Sequence, residues 1–286
     1  MTSTSTIPKK RSRPGRRWDA STWVGATFLI SVLLFVTMSP LLPGYDPSGQ
    51  DVSRALLGPF ESDPEGNLHI LGTDQLGRDL ASRLALAGTY ALRIALGATL
   101  IASVLGTVLG ILAGYLGGVV ERGVTTLADV QLSIPRVLLL VAAMALLPRD
   151  AGVITVTLGL SSWMPYARVA RTQTRKLRRM DYVSASRLSG ASAPRIMSRS
   201  LAPNVVRSIA IVAAIDVGEM VMLEATVSFL GLGVRPPATS WGLLVFEAQS
   251  YVSTAPHMII LPGLLIFLLV AGINFGSRRW TGELDD

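Results

Sequence analysis

Long apolar stretches alternate with short charged segments along the 286-residue chain, and this alternation limits what the chain can fold into. Half of the residues are apolar and only 16% are charged, whereas a soluble globular chain carries about a quarter charged residues. Several of the apolar stretches are as long as a helix must be to cross a bilayer. The pattern therefore predicts an all-α integral membrane protein rather than the one or two soluble domains that the length alone would suit.

The apolar runs predict six membrane-spanning helices, at about residues 23–42, 90–115, 124–147, 152–169, 208–230 and 257–275. The basic segments at 9–17, 168–207 and 278–279 all fall on one side of these helices, whereas acids outnumber bases in 44–88. Because basic loops stay in the cytoplasm, both termini are predicted inside and segment 44–88 outside.

The domain organisation follows from these spans. Residues 1–21 predict a disordered basic cytoplasmic tail, since Ser, Thr, Pro and Arg cannot form a core. Residues 22–280 are predicted to form the transmembrane domain, with a cytoplasmic loop at 171–207, and residues 281–286 a second cytoplasmic tail. The first apolar run is too long for a cleaved signal peptide, so we interpret it as an uncleaved span.

Residue usage excludes several kinds of chemistry. The chain has no cysteine, which excludes disulfides, thiolate metal sites and a cysteine nucleophile. His69 and His257 are the only histidines and lie far apart in sequence, which disfavours a histidine metal site. No lysine follows a phosphate-binding glycine pattern, so the chain has no P-loop for ATP. The net charge of +7 is explained by basic loops at a membrane rather than by nucleic acid.

Four glycines in the second predicted span recur at a spacing of four: Gly106, Gly110, Gly114 and Gly118. Residues four apart share one face of a helix. Without side chains on that face, a second helix can approach closely in lipid. The spacing favours a tight helix crossing, although glycine is also simply common in membrane helices.

Three acids lie in the fifth predicted span. Asp216 and Glu219 are three residues apart, share a helix face and fall near the middle of the membrane. A carboxylate there is costly unless it faces water or a partner group. The two acids therefore indicate either the wall of an aqueous translocation path or a buried hydrogen bond. Glu224, a third path candidate, lies nearer the outer end and is expected to be less constrained.

Segment Tyr182–Pro203 of the basic loop predicts two short helices joined at an angle. Pro194 is expected to break the segment and Pro203 to end its second helix. Small residues between arginines favour a knob that fits a partner's groove, although an ordinary solvated loop is the alternative. The residues expected at the contact are Ser184, Ala185, Ser186, Gly190, Ala191, Ser192, Arg195 and Pro203.

The external segment contains the sequence Leu71-Gly-Thr-Asp-Gln-Leu-Gly-Arg-Asp79. Its turn residues predict a turn followed by a short helix, with Thr73 or Asp74 as the helix cap.

Five segments together resemble the C-type transmembrane permeases of bacterial dipeptide and oligopeptide ABC importers. Residues 71–79 are similar to that family's "LGTDxLGRD" signature, and 114–135 to its "GYxGG…D…SxP" stretch. Residues 182–204 resemble its cytoplasmic "EAA" loop, and 224–233 its "EAxLSFLGLG" segment. Trp241-Gly242 and Pro262-Gly263 fit the sequence that follows.

This resemblance implies a type I importer permease in the bacterial inner membrane. It implies a second, homologous permease, two ATPase subunits that bind ATP and Mg, and an extracytoplasmic binding protein that delivers peptide. The loop at 184–203 would be the coupling element, with Ser184 in place of the family's usual glutamate. No catalytic residue or directly bound cofactor is implied, and nickel chelates or glutathione-type compounds remain alternative substrates.

Two functions of other classes compete with the resemblance. An ion-coupled secondary transporter would use Asp216 and Glu219, but such folds usually show inverted repeats, and no convincing repeat is present. A membrane-embedded enzyme would need paired acids, a metal cluster or a serine with a base, and only the same two acids are available.

Overall fold

The computed structural model describes residues 20–41 and 43–281, without the side chains of Ala20 and of residues 278–281. The predicted tails at 1–21 and 281–286 therefore lie almost wholly outside the described residues. The helices of the described chain are α1 Ala20–Met38, α2 Leu80–Leu116, α3 Gly118–Leu132, α4 Arg136–Leu146, α5 Ala151–Ser161, α6 Met164–Leu177, α7 Asp181–Leu188, α8 Ala193–Arg195, α9 Ala202–Phe229, α10 Trp241–Ala248 and α11 His257–Thr281.

Short elements connect these helices. Single 3₁₀ turns lie at Ser39–Leu41, Val52–Arg54 and Gln249–Tyr251, and a π-helical turn at Ile196–Leu201 joins α8 to α9. Strands β1 (Glu61–Ser62) and β2 (Leu68–His69) pair antiparallel in a small hairpin. The prediction of an all-α protein is confirmed, since this hairpin is the only sheet among the described residues.

Helix α2 is 37 residues long and forms the centre of the fold. It begins where the Asp79 carboxylate accepts a hydrogen bond from the Ser82 amide at 2.8 Å, and it ends at Gly117, whose φ of 68° suits glycine. The predicted cap at Thr73 or Asp74 is therefore wrong. The helix also starts about ten residues before the predicted span, because the local cap extends it beyond the apolar run.

Small residues let neighbouring helices pack closely around α2. Its alanines at 87, 91, 95, 98 and 102 are fully buried, and α5, α6 and α9 contact it. On the edge of the fold, α1 packs against α11 at two glycines. A Cβ added at Gly25 would lie 2.7 Å from the Phe275 Cβ, so this crossing also requires glycine at the point of contact.

The third and fourth predicted spans are not continuous helices. The third is two helices, α3 and α4, bent by 84° at Ser133–Pro135. Pro135 has no amide hydrogen to continue the helix, and the Ser133 hydroxyl instead bonds the Val130 carbonyl at 2.6 Å. The fourth breaks at Ser162–Trp163 between α5 and α6, because Pro165 lies in the first turn of α6.

Three helices of the described chain are long and apolar enough to cross a membrane: Ser21–Leu41, Leu80–Leu116 and His257–Ser277. The bent pair α3–α4 gives a fourth if it counts as one span. Helix α9 is also long enough at 28 residues, but it carries Arg207 and three acids. The presence of six membrane-spanning helices therefore stays a prediction.

Candidate functional site

Polar residues from three helices, α4, α6 and α9, meet at one place in the helical bundle. The Tyr166 hydroxyl of α6 donates a hydrogen bond to Asp216 Oδ2 of α9 at 2.5 Å. Arg136, the first residue of α4, forms an ion pair with Glu219 of α9, also at 2.5 Å between Nη1 and Oε1. We call these four residues the central cluster; it joins α4, α6 and α9 through hydrogen-bonded charges.

The two acids of the central cluster have different surroundings. Asp216 is buried, whereas the Glu219 side chain is 54% exposed and that of its partner Arg136 is 24% exposed. A cavity of about 230 Å³ lies beside Arg136, lined also by Pro135, Ser161 and Met164. The cluster thus has a buried hydrogen bond on one side and accessible charges of both signs on the other.

Glu224 is fully enclosed, at 1% exposure. The Ser228 hydroxyl, one turn later on α9, donates a hydrogen bond to Glu224 Oε1 at 2.6 Å. The expectation that Glu224 is less constrained than the other two acids is therefore wrong. The position of Glu224 near the end of the predicted span does not show that α10 packs against α9 at the neighbouring Ala225.

The spaced glycines of α2 face α6. A Cβ added at Gly110 would lie 2.6 Å from the Ala170 Cβ, and one added at Gly114 would lie 2.8 Å from the Thr174 Cβ. Gly106 makes the same approach to Tyr166, which places this close crossing next to the central cluster. Gly118 is different: it is the first residue of α3, has a φ of 57°, and would meet nothing within 4 Å. Its predicted packing role is wrong, because α2 ends before it.

Residues 181–201, which we call the α7 loop, project from the bundle between α6 and α9. Helix α7 ends at a turn where Gly190 has a φ of 78°, a conformation that glycine adopts without strain. The first helix is thus as predicted, but Pro194 does not break the segment; it lies in the first turn of α8. Pro203 likewise lies in the first turn of α9 and does not end a helix. Both prolines fit there because first-turn amides need no helical partner.

A small apolar core holds the base of the α7 loop. Val183, Ile196 and Leu201 are buried together with Tyr115 at the end of α2. The guanidinium groups of Arg178 and Arg187 lie 5.6 and 5.8 Å from the centre of the Tyr115 ring, within cation–π range. The base of the loop is therefore packed against the end of α2.

The outer surface of the α7 loop combines small residues and arginines with two large side chains, Tyr182 and Leu188. Of the predicted contact residues, Ser184, Ala185, Gly190, Ser192, Arg195 and Pro203 are exposed, and Ser186 and Ala191 are half-buried. Leu188 is 89% exposed next to Gly190. Sequence reasoning missed Leu188, although a leucine directly after Arg187 in a basic segment was a visible signal.

Ion pairs fix helix α6, which leads into the α7 loop, against α3. Glu121 of α3 accepts from Arg171 at 3.3 Å and from Arg175 at 2.8 Å. Asp129 lies 3.6 Å from Arg168. Part of the basic stretch that predicted a cytoplasmic loop is thus paired with acids of α3.

The Leu71–Asp79 sequence forms a turn held by buried charges. Asp74 is fully buried; its carboxylate accepts from Arg78 Nε at 2.6 Å and also binds Arg83. Arg83 reaches Glu247 of α10 at 3.0 Å. This network joins the start of α2 to α10, a contact across more than 160 residues that local sequence patterns do not reveal.

A second set of polar contacts anchors the hairpin to the same end of α2. His69 Nδ1 lies 3.1 Å from Asp79 Oδ1, and Arg54 Nη1 lies 3.4 Å from Asp63 Oδ2. The pKa of Asp63 is lowered to about 2, first because the Asn67 side chain donates a hydrogen bond to the carboxylate. Within the described residues, no group of three or more His, Asp or Glu side chains is arranged to hold a metal ion.

Comparison with known proteins identifies the family. Residues 106–279 match the family described as "Binding-protein-dependent transport system inner membrane component". The chain belongs to this family. The matched region contains the α2 glycines, the α7 loop and the central cluster. The resemblance found in the sequence is thereby confirmed, and the family role is that of an importer permease rather than of an ion-coupled secondary transporter.

The relatives of this permease are subunits of ABC importers. It is 36% identical to the nickel transport system permease protein NikC of Escherichia coli (strain K12) over 262 residues, 91% of this chain and 92% of NikC. It is 33% identical to the oligopeptide transport system permease protein OppC of the same organism, over 90% of this chain and 84% of OppC. It is also 33% identical to the di/tripeptide transport system permease protein DppC of Pseudomonas aeruginosa (strain UCBPP-PA14), over 91% of this chain and 86% of DppC.

A solved structure supports the fold of the permease. An inward-facing form of the MetNI methionine ABC transporter matches with a TM-score of 0.56 at 20% identity, over 70% of this chain and 95% of that chain. The chain is therefore a permease subunit of an ABC importer with the type I permease fold.

Proposed function

We propose that this permease forms one half of a translocation path for dipeptides or oligopeptides across the bacterial inner membrane. A second, homologous permease supplies the other half, and a binding protein delivers the peptide from outside. Two separate ATPase subunits bind ATP and Mg and perform the hydrolysis, while this chain binds no cofactor and catalyses no reaction.

The observation that carries the peptide assignment is the pairing of accessible charges in the central cluster. A free peptide carries an ammonium group at one end and a carboxylate at the other. Glu219 can attract the ammonium group and Arg136 the carboxylate, and both side chains are partly exposed. Charges at membrane depth are costly and usually mark a substrate pathway. Relatives named for oligopeptide and di/tripeptide transport support the same substrate class.

Transport follows from alternating access. ATP binding closes the ATPase subunits, which hold the α7 loop through Leu188 and the small residues around it. Because the base of this loop packs on Tyr115, the movement passes to α2. The helices then shift between outward and inward states, and ATP supplies the difference in stability between them.

Nickel chelate is the second candidate substrate, since the relative with 36% identity is a nickel transport permease. The two substrates separate in a reconstituted importer. Uptake of labelled dipeptide, competed by free but not by N-acetylated peptide, supports the peptide assignment. Uptake of labelled nickel chelate without peptide uptake contradicts it.

Variants of the cluster test its role in the path. Asp216→Asn and Glu219→Gln should leave the complex assembled, lower the transport rate and reduce the preference for free over N-acetylated peptide. Asp129→Asn is the matched control, since Asp129 is an acid outside the cluster. If the acids are structural instead, the cluster variants will lower assembly or thermal stability, and the surviving complexes will keep their preference.

The α7 loop is tested through Leu188. Leu188→Ser should lower coupled transport with little effect on the stability of this chain, because the side chain is 89% exposed and packs on nothing here. Gly190→Trp should also uncouple transport from ATP hydrolysis. Unchanged transport and substrate-stimulated ATP hydrolysis in both variants would contradict a coupling role for this loop.

Orientation is tested by single cysteines in this cysteine-free chain. Ser62 and Ser189 are both exposed. An impermeant thiol reagent added to intact cells should label a cysteine at Ser62 and not one at Ser189. The opposite result would reverse the proposed topology, with its cytoplasmic termini.

A further inference from the structure

The hairpin formed by β1 and β2 points its apolar residues outward. Leu68 and Ile70 are 58% and 55% exposed, whereas His69 between them is buried. Phe60 is 73% exposed, and its amide donates to the His69 carbonyl at 2.9 Å, so its backbone lies beside the same strand. A sheet with one wet face normally points apolar residues inward and polar ones outward. This hairpin has the reverse arrangement.

Polar contacts on the inner face maintain this arrangement. His69 is held by Asp79 at 3.1 Å and lies 3.6 Å from Asp63. Phe60 has a φ of 64°, a left-handed conformation that a bulky residue adopts only at a cost. The protein therefore keeps a strained backbone and a buried histidine beside two carboxylates, while three large apolar side chains stay exposed. Exposed apolar side chains grouped in this way mark interaction sites.

A cavity lies next to the hairpin. It has a volume of about 410 Å³ and separates the hairpin from the beginning of α2. Leu68 and Ile70 form part of its wall, and Tyr45, Asp46, Arg54 and Asp79 form other parts. The surface thus offers an apolar rim and a recess with two carboxylates and one arginine, which Asp63 already pairs. Such a recess accepts a protruding basic or amphipathic side chain.

The charge around this surface is acidic. The segment of residues 43–79 contains seven acids and two bases: Asp46, Asp51, Glu61, Asp63, Glu65, Asp74 and Asp79 against Arg54 and Arg78. Both bases are engaged with acids, at Asp63 and Asp74, whereas Glu61 and Glu65 are exposed beside the apolar residues. Such a surface is repelled by anionic lipid and complements a protein with lysine and arginine around an apolar spot.

The description of the family suggests the partner. These permeases are described as dependent on a binding protein. The hairpin precedes the region that the family model matches, which begins at residue 106, and lies within the length aligned with the nickel permease NikC.

We propose that Phe60, Leu68, Ile70 and the adjoining cavity form the docking surface for the substrate-binding protein, which contributes an apolar spot ringed by basic residues. The inference rests on the proposed function, which places this segment outside the cell. Docking here presses directly on the Asp79 cap of α2, where the hairpin is attached through His69.

Photocrosslinking tests the partner. A benzophenone-bearing residue in place of Ile70 is introduced into the complete importer in lipid vesicles, with the purified binding protein of the same system outside. The expected product is a covalent adduct with the binding protein that disappears when that protein is omitted. An adduct confined to the second permease or to lipid would overturn the proposal.

A second measurement keeps the proposal testable if crosslinking is inefficient. Leu68→Ser with Ile70→Ser should raise the binding-protein concentration for half-maximal ATP hydrolysis by about tenfold, as expected for losing anchor residues at an interface. Val52→Ser is the matched control, because Val52 is 74% exposed in the same segment but outside the hairpin. Glu61→Lys should weaken docking in the same direction, and added salt should weaken it in the wild type.

The outcomes separate the two proposals. If saturating binding protein does not stimulate the wild-type importer, the proposed function fails. If the wild type is stimulated and the hairpin variants show an unchanged half-maximal concentration, the docking surface alone is wrong. Basal ATP hydrolysis and assembly should be equal in all variants, since the replaced side chains are exposed.

Discussion

The crossing of α2 with α6 allows a quantitative test of close packing. Gly110→Ala adds one methyl group whose carbon would lie 2.6 Å from the Ala170 Cβ. Carbon atoms in contact prefer about 3.5–4.0 Å, so the helices must separate by about 1 Å or the methyl group must be accommodated by distortion. Overpacking of this kind costs about 1–3 kcal/mol.

The same substitution elsewhere supplies the control. Gly123 of α3 and Gly263 of α11 would meet nothing within 4 Å if they carried a Cβ. Alanine at these positions gains about 1 kcal/mol of helix propensity without a clash. Because the propensity gain is common to all three variants, their difference in stability isolates the overpacking cost.

Thermal stability of the detergent-solubilised importer measures this difference. Gly110→Ala should melt about 2–12 °C below Gly123→Ala, given about 2–4 °C per kcal/mol for chains of about 150–250 residues. Equal melting temperatures would refute the reasoning, because the α2–α6 contact would then have room for a side chain at its closest point.

Three further results are expected. Gly190→Asn should be more stable than Gly190→Val by about 1–2 kcal/mol in thermal melts, because a β-branched residue resists the left-handed conformation at a φ of 78°. Equal stabilities would exclude the turn described at the end of α7. A double-mutant cycle on Arg136 and Glu219 should give a coupling of about 0.5–1 kcal/mol, because both side chains are partly exposed, and zero coupling would mean that the ion pair is not formed. The folded-state pKa of Asp63 lies below its ordinary value of 3.8, at about 2. The ionised carboxylate therefore stabilises the fold fully above about pH 5, and this stabilisation is lost as the pH falls towards 2. The difference in stability between wild type and Asp63→Asn should follow that course in melts at graded pH, and a pH-independent difference would contradict it.

Sequence periodicity and motif order were enough to predict the membrane class, the family and the existence of the α7 loop. They failed where long-range packing decides the structure. The acids of α9 were visible, but Arg136 lies more than 80 residues away and contacts Glu219 only because the chain bends at Pro135. Tyr166 was hidden for the same reason, since the break before α6 turns it towards Asp216.

Local rules also gave wrong boundaries where several side chains compete. Thr73, Asp74 and Asp79 are all suitable helix caps by residue type. Only Asp79 caps α2, because Asp74 is engaged by two arginines and the Thr73 hydroxyl bonds the Arg54 carbonyl. The helix-breaking reading of Pro194 and Pro203 failed similarly, since proline begins a helix as readily as it ends one.

Helix α2 spans about 55 Å at 1.5 Å per residue, nearly twice the thickness of a hydrocarbon core. One of its ends carries the Asp79 cap with the buried charges around Asp74, and the other carries Tyr115 under the α7 loop. An unbroken helix of this length acts as a rigid rod. Any tilt about its middle displaces the two ends in opposite directions at the same moment. Under the proposed function, binding outside the membrane and ATP-driven movement inside it are therefore linked mechanically through this one helix.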